Sequence, residues 1–309
     1  MKKTLVIGST VLDVIIGVNA LPTTQGDTHT RSHKMSLGGC AFNVSEIFRQ
    51  SKTPYVLCSP VGSGIFGDYV EKKLTEKNIP IFVKTPEMEN GCCYCFVEES
   101  GERTFISHHG AEYLFSKEWV KNLNLSEFDS VYICGLEIEE KTGSEIVSWL
   151  EEISSHKLKI FFAPGPRLTK IDKNLLNRIF ALNPIIHLNE VEAYEFSNQG
   201  DVFESGKYIN SFSKSSVVIT LGEKGCFYLD ASDSNNLESG VVPVNQDKKT
   251  VVVDTIGAGD SHIGALICAM KRGKSLKDAC KLANSVSEAV VSVAGASLSD
   301  SDFANLKLF

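Results

Sequence analysis

Short runs of β-branched and aromatic residues alternate with amphipathic, helix-like runs along almost the whole sequence. The first half runs through "TLVIGS", "AFNVSEIFRQS", "YVLCSPVG" and "FGDYVEKKLTEKN", and the second half continues from "SVYICGL" to "SVVITLG". Strands that alternate with helices predict βαβ units, in which helices cover both faces of a parallel sheet. The 309 residues contain no linker-like or repetitive tract, so we expect one large α/β domain over residues 1–309.

Two segments interrupt this alternation. Residues 15–37 are polar and loop-like, whereas residues 91–110 have the pattern of a β-hairpin that turns near Ser100 and Gly101. Strands that are inserted without helices of their own indicate a small sheet beside the main one. We expect these two segments to form a lid or a surface between subunits.

The composition limits the partners and the compartment. A net charge of −7 argues against broad nucleic-acid binding, which needs a basic face. No stretch reaches the roughly 18 uninterrupted apolar residues of a membrane helix, and Asp13 interrupts the apolar N-terminal run. Nine cysteines without a secretory signal indicate reduced thiols. We therefore expect a cytoplasmic protein that binds neither nucleic acid nor membranes.

The stretch "VVVDTIGAGDSHIGALICAM" at residues 251–270 has the features of a catalytic site that binds an anion. Its first four residues predict a buried strand and its last eleven an apolar helix, with Gly257, Ala258, Gly259 and Asp260 at the junction. Amides at a helix start attract anions, and glycines let an anion come close. The carboxylate suits phosphoryl transfer, because Asp260 would accept the proton of an attacking hydroxyl while the amides stabilise the moving group. The alternative is a simple helix cap, and the helix start is expected to lower the pKa of Asp260.

Four motifs in the family's order resemble those of ribokinase-like sugar and nucleoside kinases, the phosphofructokinase-B family. They are "GGCAFNVS" at residues 38–45, "NEVE" at 189–192, "TLGEKG" at 220–225 and "DTIGAGDSHIGA" at 254–265. The resemblance implies a three-layer α/β/α domain with a mainly parallel central sheet and a small β-sheet lid. It also implies an ATP- and Mg²⁺-dependent kinase for a hydroxymethyl group of a sugar or nucleoside, with a homodimer through the lid in many members.

The resemblance also gives each matching residue an expected role. The expected residues are Asp260 as the base, with Gly257, Ala258 and Gly259 as the anion hole; Asp13, Gly39, Asn43 and Arg167 for the substrate; Thr220, Gly222, Gly225 and Asn284 for the nucleotide; Asn189 and Glu192 for Mg²⁺ through water; and Asp254, with carbonyl groups in residues 290–299, for a monovalent cation such as K⁺.

The sequence departs from the family pattern in three places. Gly64 stands where many members carry Asp, and "FAPGPR" at residues 162–167 keeps only Arg167 of the common Asp-x-Asn-x-Arg pattern. His262 stands where Phe is usual, and we expect it to be packed in the first turn of a helix. The first two departures bear on the substrate. We expect a sugar as the substrate, with a nucleoside as the alternative.

Other patterns suggest different functions. "GSGIFG" at residues 62–67, with Glu87 further on, matches a dinucleotide fingerprint and would suit an NAD-dependent oxidoreductase. That fingerprint normally belongs to the first βαβ unit, whereas here a βα unit precedes it. A Walker P-loop is excluded because Asp68 stands where Lys must follow the second glycine. A protein that only binds nucleotide or sugar is a further alternative, which the presence of Asp260 disfavours.

A group of cysteines and histidines suggests a soft-metal site. Cys92, Cys93 and Cys95 lie close in the sequence, and the hairpin could bring them near His108 and His109. However, Cys92 and Cys93 should point to opposite faces of a strand, and free cysteines usually pack as small apolar side chains. We therefore expect packing rather than metal binding, with the histidines lining the lid.

Overall fold

The computed structural model describes residues 1–233, 235–245 and 250–309, and its strands form three sheets. In chain order the strands are β1 (Lys3–Ile7), β2 (Val11–Val18), β3 (Thr30–Gly38), β4 (Tyr55–Cys58), β5 (Pro60–Ser63), β6 (Val83–Glu89), β7 (Cys92–Val97), β8 (Arg103–His108), β9 (Phe128–Cys134), β10 (Lys159–Ala163), β11 (Ile185–Asn189), β12 (Val217–Thr220), β13 (Cys226–Asp230) and β14 (Glu238–Val242).

The helices follow the strands as the sequence pattern predicts. They are α1 (Cys40–Gln50), α2 (Gly64–Glu76), α3 (Lys117–Val120), α4 (Gly135–Glu139), α5 (Gly143–Glu152), α6 (Lys173–Ala181), α7 (Glu190–Ser197), α8 (Val202–Ser213), α9 (Ala258–Lys271), α10 (Leu276–Val291) and α11 (Asp300–Asn305). In the described ranges, none of them is long and apolar enough to cross a bilayer.

The main sheet has eight strands in the order β14-β13-β12-β11-β10-β9-β1-β4. Across the sheet from β4 to β12 each strand is parallel to the next, whereas β13 pairs antiparallel with both β12 and β14. Consecutive strand residues such as Leu5 and Val6, or Phe161 and Phe162, belong to separate hydrophobic cores because they point to opposite faces. The core that contains Val6 and Phe161 packs against α1, α9 and α10, and the other core packs against α5 and α6. The predicted three-layer α/β/α fold is confirmed.

The small sheet, called the lid here, consists of β2, β3, β7 and β8 in the order β3-β2-β7-β8. The hairpin predicted at residues 91–110 is confirmed, because β7 and β8 pair antiparallel. The loop predicted for residues 15–37 is wrong over much of its length, since β2 and β3 form an antiparallel pair there. Most of β3 is exposed and its sequence is polar, so it lacks the alternation that identifies a half-buried strand.

The glycines of "GSGIFG" serve close packing. Strand β5, which carries Gly62, pairs only with β6 and is not part of the main sheet. A Cβ on Gly67 would collide with the carbonyl oxygen of Gly62, so the helix and the strand touch through these glycines. A dinucleotide fingerprint requires a strand of the parallel sheet before the glycine loop. The fold therefore does not support the oxidoreductase alternative.

The buried strand predicted for "VVVD" is also wrong. Val251, Val252 and Val253 are 72%, 62% and 54% exposed, and no strand forms at this position. The backbone instead follows the end of α10, where the amides of Val253 and Asp254 donate to the carbonyl of Val291. The apolar run resembles a strand locally, but the segment lies beside a helix end rather than in the sheet.

Two histidines lie between the main sheet and α9. His187 on β11 and His262 on α9 are buried, and His187 Nε2 lies 2.9 Å from His262 Nδ1. His262 Nε2 lies 3.1 Å from Asn284 Oδ1, while the Asn284 amide donates to the carbonyl of Val242 at 2.9 Å. An amide oxygen can only accept, so neutral His262 donates from Nε2 and accepts at Nδ1 from His187. Burial and the nearby His262 hold the pKa of His187 well below its usual value.

We predict that this pair makes stability depend on pH. Below about pH 6.5 the unfolded chain protonates His187 while the folded chain does not, so the free energy of unfolding should fall by up to about 1.4 kcal/mol per pH unit. His187→Gln keeps a donor for His262 but removes the titration, and it should flatten this slope in urea unfolding between pH 5 and 8. Exposed His156→Gln is the control. Equal slopes for the wild type and His187→Gln would contradict the assignment.

Candidate active site

The glycine pair before α1 allows two polar side chains to approach the start of that helix. Gly39 has φ 94° and precedes α1, and a Cβ there would lie 2.5 Å from the carbonyl oxygen of Ser9. A Cβ on Gly38 would collide with Oδ2 of Asp13. Both glycines are thus required by the backbone conformation or by space. The Asp13 carboxylate therefore lies beside the residues that lead into α1, and Asn43 lies in the first turn of that helix.

Asp260 lies in the first turn of α9, as predicted, and contacts another predicted site residue. The Nδ2 group of Asn43 donates to Asp260 Oδ2 at 2.9 Å, although the two residues are 217 positions apart. Gly257 precedes the helix with φ 73°, and a Cβ there would lie 2.5 Å from the carbonyl oxygen of Ala296. The first and last motifs therefore meet at one site.

Two carboxylates at this site have raised pKa values. Burial raises the pKa of Asp260 to about 6, although hydrogen bonds from Asn43 and Cys40 act in the opposite direction. The pKa of Asp13 is raised to about 7, first by burial and then by the negative charge of Asp260. The predicted lowering of the Asp260 pKa by the helix start is wrong, because the loss of hydration outweighs the helix dipole. A base with a pKa near neutrality is well matched to proton transfer.

The predicted anion hole has open space at Gly259, while one of its amides, that of Ala258, is already hydrogen-bonded. The first-turn amides of a helix have no acceptor within the helix, and the first bond of this turn runs from Ser261 N to the Gly257 carbonyl. The amide of Ala258 donates to the carbonyl of Thr255 at 3.3 Å. A Cβ on Gly259 would meet no protein atom within 4 Å. An anionic group can therefore approach the backbone at Gly259.

The predicted nucleotide residues follow β12. Thr220 ends this strand in register with Asn189 of β11, so the nucleotide and Mg²⁺ motifs are neighbours at the carboxyl edge of the sheet. Gly222 has φ 59° with open space around it, whereas a Cβ on Gly225 would collide with the carbonyl oxygen of Val242. Buried Asn284 contacts the same carbonyl group of Val242.

The predicted Mg²⁺ residues form a capping box at the start of α7. Asn189 Oδ1 accepts from the amide of Glu192 at 2.8 Å, and Glu192 Oε2 accepts from the amide of Asn189 at 3.0 Å. The pKa of the Glu192 carboxyl is raised by burial and by the charges of Glu195 and Asp260. Carboxylate and amide oxygens are the ligands that Mg²⁺ prefers, and a nearby negative charge favours a cation, so these residues fit Mg²⁺ held through water.

Asp254 has a partner that the sequence did not suggest. Its Oδ1 atom lies 2.8 Å from Arg103 Nη2 of the lid and also accepts from the amide of Ile256 at 2.8 Å. Its Oδ2 atom accepts from the amide of Gly295 at 2.9 Å. A carboxylate that already faces a guanidinium does not fit a monovalent cation, because the added charge would be repelled. The expected cation role of Asp254 stays a prediction, and the partner that the structure gives its carboxylate is Arg103.

Arg167 lies apart from the contacts described so far. It ends a short 3₁₀ turn, Gly165–Arg167, and its Nε lies 3.2 Å from Glu139 Oε2. The structure gives no contact between Arg167 and Asp260 or Asn43. Its expected substrate role stays a prediction.

Glu137 is a site candidate that the sequence analysis missed. It is 1% exposed, its Oε1 accepts from the amide of Ser9 at 2.8 Å, and its Oε2 has no hydrogen-bond partner. Burial raises its pKa to about 7. The residue follows β9 within "CGLEIEE", at the carboxyl edge where ligands of parallel sheets bind, and that position was the available signal. A buried, unpaired carboxylate oxygen is suited to accept a substrate hydroxyl.

The cysteines of β7 differ in burial and in the face that they share with neighbouring strands. Cys92 and Cys95 are buried, whereas Cys93 is half-buried and lies in register with Asp13 on β2. Within the described residues, no group of three or more His, Cys, Asp and Glu side chains is arranged to hold a metal ion. Cys93 therefore shares the lid face of Asp13, and the buried pair contributes to packing.

Comparison with known proteins gives this site its context. The family description "pfkB family carbohydrate kinase" matches residues 1–302. A protein named uncharacterized sugar kinase YegV from Escherichia coli is 31% identical over 294 residues, which cover 94% of this chain and 88% of that protein. The ribokinase structure from Giardia lamblia has a TM-score of 0.82 at 21% identity and covers 99% of each chain. The adenosine kinase structure from Sinorhizobium meliloti has the same TM-score of 0.82 at 16% identity, over 99% of this chain and 98% of that one. The chain belongs to the pfkB family of carbohydrate kinases.

Proposed function

We propose that this kinase transfers the γ-phosphoryl group of ATP to a hydroxymethyl group of a sugar, with Asp260 as the general base. The observation that carries this proposal is the half-buried Asp260 carboxylate, held by Asn43 beside the open backbone at Gly259. A helix cap has no need for a carboxylate whose loss of hydration raises its pKa to about 6. The position and the chemistry of Asp260 support a catalytic role.

Each residue of the proposed site has a distinct role in the phosphoryl transfer. Asp260 accepts the proton of the hydroxymethyl group as its oxygen attacks the γ-phosphorus and ADP leaves. The first-turn amides of α9 stabilise the charge on the transferred group. Asn43 orients the base through its 2.9 Å hydrogen bond, and Asp13 accepts a sugar hydroxyl. Mg²⁺, held through water near Glu192 and Asn189, would neutralise phosphate charge when bound.

Two observations support a sugar rather than a nucleoside. They do not include the cavity of about 310 Å³ at the end of β8, because Asp13, Asn43 and Asp260 are not among the residues that line it. The Glu89 carboxylate stands 3.4 Å from where a Cβ on Gly64 would lie, so an acidic group is present beside that position. The relative at 31% identity is also named a sugar kinase. The ribokinase and adenosine kinase structures are equally similar to this chain, so the fold does not distinguish a sugar substrate from a nucleoside.

We also propose that the lid pairs two copies of the chain. Strands β3 and β8 form the two edges of the lid sheet. On β8, Phe105 and Ile106 are 55% and 59% exposed, which is unusual for large apolar side chains on an edge strand. Pairing of the lids would cover them.

The thiols support a reducing compartment. All nine cysteines lie in the described part of the chain and are free, and seven of them are buried or packed within the fold as small apolar groups. Structural disulfides are typical of oxidising compartments. We propose the cytoplasm as the site of action.

The function is tested by screening free sugars, sugar acids and nucleosides with ATP and Mg²⁺, with ADP release and product mass as the readouts. We expect turnover of a free sugar and loss of turnover in EDTA. Asp13→Ala should raise KM for that sugar far more than KM for ATP. Turnover of nucleosides alone would contradict the sugar assignment, and binding without product would favour the binding-only alternative.

Replacing the base should separate catalysis from folding. Asp260→Asn keeps the shape and the acceptor for Asn43, so we expect kcat to fall by about 10² or more while the urea midpoint is unchanged or higher at pH 8. In the wild type, kcat/KM should fall as the pH decreases through about 6, because Asp260 then takes up a proton and cannot act as a base. The matched control is Asp278→Asn, in the first turn of α10. A kcat of Asp260→Asn within a few-fold of the wild type would restore the helix-cap interpretation.

The two glycines of the anion hole should respond differently to alanine. A methyl group on Gly259 meets no protein atom, so Gly259→Ala should fold normally but obstruct the phosphate and lower kcat by on the order of 10²-fold. Gly257→Ala should instead lower the urea midpoint, because its φ of 73° and the Ala296 carbonyl oxygen at 2.5 Å exclude a side chain. Wild-type kcat in Gly259→Ala would remove the anion hole from the mechanism.

A further inference from the structure

An arginine of the lid contacts the loop that leads into the anion hole. Arg103, at the start of β8, places Nη2 2.8 Å from Asp254 Oδ1 and donates from Nη1 to Thr255 Oγ1 at 3.4 Å. The Arg103 and Asp254 side chains are only 17% and 10% exposed, so this ion pair is largely shielded from solvent. It joins two parts of the chain that are about 150 residues apart.

Asp254 organises the backbone around the anion hole. Its two oxygens accept from the amides of Ile256 and Gly295, at 2.8 and 2.9 Å. The next residue after Gly295 is Ala296, whose carbonyl oxygen lies against Gly257. The carboxylate thus fixes the loop before α9 against the loop after α10. Its negative charge needs a nearby cation, because two amide donors alone do not compensate a buried charge.

Two carbonyl groups of this region already accept hydrogen bonds within the protein. The resemblance described above implies a monovalent cation bound to Asp254 and to carbonyls of residues 290–299. The carbonyl of Val291 already accepts from the amides of Val253 and Asp254, at 2.8 and 3.2 Å. The carbonyl of Val290 accepts from the amide of Val293 at 3.2 Å. A second cation beside the Arg103 guanidinium would also add uncompensated positive charge to a shielded site.

We propose that Arg103 takes the place of the monovalent cation at Asp254, as a positioning residue for the anion hole. The inference rests on the proposed phosphoryl transfer and deepens it. The guanidinium neutralises Asp254 and contacts Thr255, and thereby holds Gly257 and the first turn of α9 in place. The kinase therefore has no requirement for K⁺. Because Arg103 belongs to the lid, the anion hole is complete only when the lid rests on this loop.

The test compares K⁺ with Na⁺ at equal ionic strength. Wild-type kcat should differ less than about twofold between KCl and NaCl. Arg103→Ala should lose activity by about 10-fold or more in NaCl, and KCl should restore most of it because the vacated space can then admit K⁺. Arg103→Lys should keep K⁺ independence, since its ammonium group supplies the charge. Arg31→Ala is the control, because Arg31 is a lid arginine that donates to the Val18 carbonyl.

A second readout does not depend on turnover. The thermal unfolding temperature, measured without nucleotide or sugar, should rise in KCl relative to NaCl for Arg103→Ala and show no such rise for the wild type or Arg31→Ala. Strong K⁺ activation of the wild type would overturn the proposal. So would an Arg103→Ala variant that responds to K⁺ in neither measurement. If the wild type transfers phosphate to no acceptor, the proposed function fails, while the unfolding temperatures still decide whether K⁺ replaces Arg103.

Discussion

The close packing of α1 against α9 is the constraint on which the site depends. A Cβ on Gly264 of α9 would lie 3.0 Å from Cβ of Ile47 and 3.2 Å from the carbonyl oxygen of Val44, so the helices approach through a glycine. Both helices begin at glycines with positive φ, and their first turns lie side by side. This arrangement brings Asn43 to Asp260 and gives the half-buried carboxylate a hydrogen-bond donor.

The carboxylates of the site fall into two groups, those that have no ion pair and one that pairs with an arginine. Glu137 is buried, Asp13 and Asp260 are half-buried, and none of the three forms an ion pair within the described part of the chain; loss of hydration raises the pKa of each toward neutrality. Such groups destabilise the folded protein at neutral pH and are expected where reactive hydroxyls bind. Asp254 is also buried but faces Arg103, so its charge supports the backbone instead. A carboxylate in this region thus either remains available to bind a reactive hydroxyl or stabilises the backbone, depending on whether a cation lies beside it.

Much of the fold follows from the alternation of strands and helices, because each parallel strand needs a helix to return the chain. The exceptions have local physical reasons. Strand β3 is polar because both its faces and one edge are exposed, so its sequence resembles a loop. The valines before Asp254 resemble a buried strand, yet they lie exposed beside the end of α10. In both cases the neighbours in space, rather than the local pattern, decide burial.

The sequence by itself determined the βα order, the glycines that require positive φ or close approach, and the two motifs that carry Asn43 and Asp260. These features can be predicted because they depend on local backbone conformation and on the residue types within short motifs. Only the tertiary structure decided that the pKa of Asp260 is raised, that Glu137 has an unpaired oxygen, and that Arg103 faces Asp254. The hydration and the ion pairs of these carboxylates depend on contacts between residues more than 100 positions apart, such as Asn43 with Asp260. No local sequence pattern indicates which of these residues come into contact.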